Sequence, residues 1–505
     1  MAVKIFSSAF IGLDARLIEV EVDFTPGLHA FSIVGLPDKA VEESKERVSS
    51  AIKNTGGKPP HHHNRRITVN LAPAEIKKQG TIYDLPIALG FLLVSGQMKK
   101  LKTSDKIFVG ELSLDGSIRR VKGILSIAIL ARRENKLLVL PKENQKEAEL
   151  VKDLRILAVD NLNELLKFLE GETEKYITIG KGAENLAFQD YPEINFAYIQ
   201  GQESIKRALE IAAAGGHNLF MMGPPGSGKT LLSRALPSIL PRMTKEEVVE
   251  VTKIYSLAGL LPSKNAIINN RPFRSPHHSS SSVALIGGGS HIRPGEITLA
   301  HRGVLFLDEF PEFHRDVIEA LRQPLEDGKV LVARAEESII FPARFTLVAA
   351  SNPCPCGYLN DPQRECTCLP SQIARYRRKI SGPILDRIDI KIEVPRIGFE
   401  KLASKVVAEG SKDIRERVER ARTTQESRGF LNSEIPLQKI SEYCKIDIPS
   451  QNLLSQAMRR LNLSPRSYHK ILKVTRTISD LAGKENIGRE QLAEAISYQE
   501  QKDVF

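Results

Sequence analysis

The sequence predicts an α/β protein, with a parallel sheet and crossover helices in its middle third. A mixed α+β region precedes that sheet and a helical region follows it. Three observations predict this. From about Asn195, short apolar runs at His217–Met222, Gly303–Leu307 and Phe345–Ala350 alternate with helical segments, the grammar of parallel strands joined by crossovers. Earlier, β-rich Leu17–Val22 and Ile67–Leu71 stand beside Lys39–Lys53, whose Val41, Val48 and Ile52 are spaced as one face of a helix. Past Pro395 strand signals fade, and helices are expected at Ser411–Ser427, Ser450–Leu461, Pro465–Ala482 and Arg489–Tyr498.

Taken in order, the elements divide the chain into 1–175, a polar linker at 176–194, a core at 195–396 holding a cysteine loop at 353–369, and a helical lid at 397–505. A length of 505 residues accommodates that number of domains. Within the first region Leu85–Val94 reads as a buried apolar helix, too short to span a membrane. The N-terminus lacks an extended apolar leader. Five Cys are too few for a disulfide scaffold, and a cytoplasmic, reducing setting is expected. The net charge of +11 favours an anionic partner such as nucleic acid or anionic lipid.

The chemistry centres on Gly223, Pro224, Pro225, Gly226, Ser227, Gly228, Lys229, Thr230 and Leu231, which complete the pattern G-x-x-x-x-G-K-[ST] and open a helix. Glycines let backbone N–H groups turn toward phosphate oxygens at the positive end of that helix. Lys229 is expected to reach the β and γ phosphates of ATP, and the Thr230 hydroxyl to bind Mg²⁺. Some 80 residues on, Val304–Leu307 is followed by Asp308 and Glu309. Asp308 is expected to hold Mg²⁺ through its water shell, and Glu309 to orient or deprotonate the attacking water. Asn352 ends the third apolar run, where its side chain can contact the γ-phosphate or the lytic water. Arg387 is a candidate arginine finger, and Arg466 a second candidate for the same phosphate; a surface ion pair is the alternative for each.

With these residues stand Arg271-Pro-Phe-Arg-Ser-Pro-His-His278, Gly287-Gly-Gly289, Arg293-Pro-Gly-Glu296 and Leu321-Arg-Gln-Pro-Leu-Glu-Asp-Gly328. The set resembles the AAA+ ATPases, in the Mg-chelatase-like branch, and within it the competence ATPases of the ComM/YifB type. That resemblance spans essentially the whole chain. It implies a P-loop α/β core, Asp308 and Glu309 as the Walker B pair, Asn352 as sensor 1, Arg387 as the finger and Arg466 as sensor 2. It also implies a homo-oligomeric ring, a hexamer, with ATP between subunits, and a DNA helicase driving branch migration during recombination of transforming DNA. The N-terminal region resembles the Lon proteolytic domain, of the S5 domain 2 type, around Lys78-Gln-Gly80 and Val109-Gly-Glu-Leu112. The nucleophile position falls on Ile82 and the lysine position near Ile127, so a non-proteolytic domain is expected; nearby Ser126 is the reservation.

Cys354 and Cys356 are separated by nine residues from Cys366 and Cys368. Two close pairs suit a tetrahedral Zn²⁺ site, although one intervening residue per pair is shorter than the usual spacing. Free thiols and a redox or iron–sulfur role are the alternatives. Cys444 reads as a core residue. The basic run Arg375, Arg377, Arg378 and Lys379 follows the loop and is a candidate contact for branched or single-stranded DNA, or a solvated helix face. Lys329 and Arg334, on a hairpin at 328–341, are further candidates. So are the loop Ser256–Pro294, the loop from Lys58 to Arg66, and the basic stretch 451–480. No sequence-reading module is evident, so binding is expected to be sequence-independent and strongly salt-dependent. Two other classes fit the same ATP site: a magnesium-chelatase motor subunit, and a regulatory assembly protein that holds ATP as a structural ligand.

Overall fold

The computed structural model describes the chain except for residues 1, 100–101, 173–176, 184–193, 263–265, 290–291, 334–337, 381, 399–407 and 500–505. It divides into two compact units. The first comprises Met1–Ala187 with Thr244–Asn269, and the second Phe188–Met243 with Asn270–Phe505. Among the described residues no helix is long and apolar enough to cross a membrane.

The first unit holds a four-stranded sheet in the order Val3–Ile11, Asp14–Pro26, Arg65–Ala72, Ala30–Val34. Alternation sends Ile18, Val20 and Val22 of the second strand to the covered face. The helix Asp84–Val94 lies on that face, buried almost throughout, as its continuous apolar sequence requires. Gly90 permits the approach: a Cβ there would sit 2.4 Å from the Val22 side chain. The expected helix at Lys39–Lys53 breaks into Lys39–Glu42 and Ser44–Asn54. Ile82 and Ile127 are core residues at 5% and 0% exposure. Ser126 is also buried, and its hydroxyl donates to the Leu13 carbonyl at 2.6 Å. Its proton is therefore committed to the fold and not to a base.

The same unit takes in Thr244–Asn269, a segment expected within the core at 195–396. The helix Lys245–Ala258 begins with a Thr244–Glu247 capping box and ends at Gly259, in the left-handed region. Its Ser256 carbonyl accepts from the Gly123 N–H at 3.2 Å. The Ser256 hydroxyl donates to Glu147, which also accepts from the Leu125 N–H at 2.9 Å. Val249 and Ile267 pack with Leu125, Leu150 and Ala183. The physical reason is plain: this helix carries an apolar face and a buried acceptor network that residues 120–150 complete.

The second unit contains a five-stranded, all-parallel sheet in the order Phe273–Arg274, Val304–Leu307, Thr346–Ser351, Leu219–Met222, Ile390–Glu393. Its three central strands are the expected ones. Both edge strands are additions. The helix Glu203–Gly215 and the C-terminal helices Ser411–Arg428, Ile448–Arg460, Pro465–Leu481 and Arg489–Ser497 contribute to one core with the sheet, through Ile205, Leu219, Val304, Val418, Ile471 and Leu492.

Much of the basic charge at 451–480 is consumed inside this fold. Asp480 is buried and takes both Arg428 guanidinium nitrogens at 2.8 Å. Arg476, 3% exposed, also pairs with it. Lys470 donates to the Ile388 carbonyl at 2.9 Å and Lys473 to the Ser433 carbonyl at 3.0 Å. Of the arginines proposed there for nucleic acid, Arg459 and Arg460 are exposed.

Candidate active site

The phosphate loop follows the fully buried strand Leu219–Met222. Gly223 donates to the Ser351 carbonyl at 3.2 Å, which ties the loop to the neighbouring strand. A Cβ on Gly223 would stand 2.2 Å from the Val394 carbonyl oxygen, so only glycine fits where the fifth strand passes. Gly226 and Gly228 have φ of 76° and 92°, the left-handed turns that reverse the chain before the helix at Lys229.

Lys229 is brought into the centre. Its ammonium donates to the Gly223 carbonyl at 2.6 Å, the Pro224 carbonyl at 3.0 Å and the Asn352 amide oxygen at 3.2 Å. Burial pulls its pKa down to about 8, against the opposing fields of Asp308 and Glu309. The Thr230 hydroxyl donates to an Asp308 carboxylate oxygen at 2.7 Å. A hydroxyl and a carboxylate at this separation, beside a phosphate loop, are a donor set suited to Mg²⁺ on a nucleotide.

Glu309 occupies the left-handed region at φ 52°, unusual for a non-glycine residue. Its carboxylate meets the His278 ring nitrogen Nδ1 at 2.9 Å. The His278 ring lies against that of His277, with centroids 4.1 Å apart and planes tilted by 34°. Sequence reasoning named His278 within a loop and gave it no part in the site; the adjacent histidines were the available signal. In the same loop Arg274 makes a two-point pair with Glu296, both contacts 2.6 Å, and is a structural group.

The two candidate arginines differ. Arg387 donates to the Pro383 carbonyl at 2.6 Å and pairs with Glu326, so its guanidinium is held by contacts within the chain. Arg466 is exposed on the first turn of Pro465–Leu481, behind the Ser464 cap. One turn on, Lys470 contacts Ile388, which places the start of this helix beside the segment that carries Arg387.

The cysteine loop touches the site directly. The ligand sulfurs of Cys354, Cys356, Cys366 and Cys368 all lie within 4.8 Å of one another. Cys354 is 3.4 Å from Cys356 and 3.7 Å from Cys366, and Cys356 is 3.6 Å from Cys366. A tetrahedral site with metal–sulfur bonds of about 2.3 Å has sulfur–sulfur edges of about 3.8 Å. The thiols therefore fit such an ion. Burial pushes the Cys354 thiol up to about 12. At Cys356 burial acts in the same direction, but N–H groups of Tyr358 and Thr367 outweigh it and hold the thiol near 6.

The candidate DNA-binding residues are spread over two elements. Lys329 is exposed at the start of the strand Lys329–Ala333, which pairs antiparallel with Ser338–Pro342. Arg334 lies outside the described residues. Leu331 and Ile340 face each other across this hairpin and are exposed at 46% and 62%. On the helix Pro370–Arg378, Arg375 and Arg378 are exposed and Arg377 is half-buried. Lys379 just beyond it donates to Glu312 at 2.8 Å.

A parallel sheet carrying a phosphate loop, a Thr–Asp pair and a strand-end Asn on the loop lysine defines a P-loop ATPase of the AAA+ class. Residues 195–402 match the family described as magnesium chelatase, subunit ChlI. Residues 20–144 match subunit ChlI of Mg-chelatase, and 408–499 its C-terminal region. The chain is 42% identical over 500 residues to the competence protein ComM of Haemophilus influenzae, covering 98% of this chain and 96% of that one. It is 41% identical to YifB of Escherichia coli, again over 98% and 96%. The magnesium-chelatase 38 kDa subunit of Rhodobacter capsulatus is 29% identical over 32% of this chain and 51% of its own length. The chain belongs to the ComM/YifB family of Mg-chelatase-like AAA+ proteins.

Proposed function

We propose that this chain is an ATP-driven DNA translocase or helicase that works as a homo-oligomeric ring, a hexamer, and promotes branch migration when transforming DNA recombines. The observation that carries this reading is the full-length similarity to a protein named for competence, joined to an assembled ATP site. In this reading Lys229 and Asn352 hold the γ-phosphate, Thr230 and Asp308 hold Mg²⁺, and Glu309 acts on the lytic water. Arg387 leaves Glu326 and enters a neighbouring subunit's site, and Arg466 approaches the phosphate from the helical lid. Lys329, Arg334 and the run Arg375–Lys379 line the path of sequence-independent DNA, consistent with the +11 charge. The N-terminal unit is a non-proteolytic binding or assembly domain. The reading places the protein in the cytoplasm, away from membranes.

A magnesium-chelatase motor is the second reading, favoured by the similarity to the Rhodobacter subunit. That similarity covers only part of either chain. The decisive experiment measures ATP turnover with and without forked and Holliday-junction DNA, alongside junction remodelling. The expected result is stimulation and branch movement, both lost in Glu309→Gln while nucleotide still binds. If neither DNA stimulates turnover and neither is remodelled, the translocase reading falls.

A further inference from the structure

Between Pro353 and Leu369 the chain forms no helix and no strand. A stretch of this length without a hydrogen-bonded ladder loses much conformational entropy on being fixed. Yet it is fixed beside the most sensitive atoms of the molecule. Gly357, at φ 85°, lies so close to the phosphate loop that a Cβ there would come within 2.6 Å of the Pro225 ring and 3.7 Å of the Asn352 amide carbon. Asn352 is two residues before the first thiol, and its amide oxygen accepts from Lys229. The helix that begins two residues after the last thiol carries Tyr376, which is buried and close enough to the Asn352 backbone for its N–H to act on the phenol. Both ends of the cysteine loop therefore lie near the same asparagine.

The far side of the loop is anchored too. The Asp361 carboxylate accepts from the N–H groups of Gln363 and Arg364 at 2.8 and 3.1 Å, and pairs with Arg396 at 2.7 Å. Arg396 follows the fifth strand, whose Val394 N–H donates to Met222 at the entry of the phosphate loop. What remains unexplained by these contacts is the centre, where the sulfurs of Cys354, Cys356 and Cys366 lie 3.4–3.7 Å apart, that of Cys368 lies within 4.8 Å of them, and the Cys356 N–H donates to the Cys368 sulfur at 3.3 Å. Sulfur atoms pointed at one another, with backbone donors pointed at them, are the arrangement of metal-bound thiolates.

We propose that these four cysteines hold one zinc-class divalent cation, and that this closed centre is a brace for the nucleotide pocket: its occupancy positions Gly357 against Pro225 and Asn352 against Lys229, and so sets nucleotide affinity. Soft thiolates and a four-sulfur shell with no open position favour Zn²⁺ in a structural role, not a catalytic one. The proposal rests on Gly223–Leu231 being the ATP site, and it is independent of any role of DNA.

The full-length chain, purified without chelator, is expected to carry one zinc, released by a mercurial in step with modification of four thiols. Removing the ion should weaken binding of a fluorescent ATP analogue by about tenfold or more, and added Zn²⁺ should restore it. Circular dichroism before and after removal checks that the fold survives. Cys366→Ser removes a thiol from the loop's centre and can unfold it outright, so Gly357→Ala serves as the second variant: it should keep its zinc and still lose nucleotide affinity. A chain without stoichiometric metal, its four thiols freely reactive, overturns the site. Full zinc whose removal leaves both fold and nucleotide affinity unchanged overturns the brace. Zinc-loaded wild type that binds no nucleotide overturns the ATP-site reading and the coupling with it, while the zinc stoichiometry stands by itself.

Discussion

His278 and Glu309 meet although 31 residues separate them in the chain, and the contact changes what can be asked of each. At 2.9 Å the imidazole fixes the carboxylate of a residue whose own backbone is already in a sparsely populated region. A base that must meet a water in one orientation gains from such fixing. His278→Ala should therefore lower kcat roughly tenfold while KM and nucleotide affinity stay as they are. Unchanged kcat would make the contact incidental. Lys229 supports a second test. Free of phosphate, its ammonium is depressed to about 8 by burial; bound phosphate oxygens would raise that value. Below the depressed value the lysine is already charged and affinity should be flat with pH. Above it, binding must take up a proton, and affinity should fall by up to about tenfold per pH unit. Titrations of an ATP analogue from about pH 7 to about 9.5 measure the slope, and a flat profile would show that the buried ammonium is not what meets the phosphates. The residues of contiguous motifs were legible because phosphate binding demands them side by side. His278 was not, because the fold alone makes it a neighbour of Glu309.

The same division holds for elements. The three central strands were readable as uninterrupted apolar runs, buried on both faces. The edge strands were not: Phe273–Arg274 is two residues long, and Ile390–Glu393 mixes Ile390 and Ile392 with Lys391 and Glu393. That second strand nevertheless shapes the phosphate loop. Its continuation brings the Val394 carbonyl to within 2.2 Å of where a Gly223 Cβ would be. The contact is with backbone, so a side-chain rotation cannot relieve it. Gly223→Ala should cost about 1–3 kcal/mol of stability in the second unit and reduce ATP-analogue binding at the same time. Urea unfolding followed with and without nucleotide measures both; a variant as stable as wild type would mean that the strand yields easily. Basic segments were the least legible elements. A count of lysines and arginines at 451–480 could not distinguish Arg476, sealed against Asp480, from exposed Arg459. Long cationic side chains bury their stems and satisfy carbonyls as readily as they face solvent.

For the whole molecule, the chain order of domains is less simple than the motif order suggested. The segment Thr244–Asn269 leaves the ATPase sequence and completes the N-terminal unit, so neither unit is one continuous stretch of chain. The proposed ring adds a further level, and Arg387 is where it can be tested. Within one subunit its guanidinium is neutralised by Glu326 and the Pro383 carbonyl. A structural ion pair and a finger poised for a neighbour give different results when two defective chains are mixed. Lys229→Ala lacks a working phosphate loop but keeps its arginine, whereas Arg387→Ala keeps the loop and lacks the arginine. If Arg387 acts across a subunit boundary, a mixed ring contains interfaces at which the Arg387→Ala loop meets the arginine of a Lys229→Ala neighbour. Random mixing at equal amounts makes roughly one quarter of the interfaces complete. ATP turnover should rise from near zero in either variant alone to a measurable fraction of wild type after mixing and reassembly. If Arg387 acts within its own subunit, every site in the mixture lacks one group and no turnover returns. Full turnover by Arg387→Ala alone would instead leave the residue a structural ion pair with Glu326, and the finger would have to be sought elsewhere, with Arg466 the next arginine to replace.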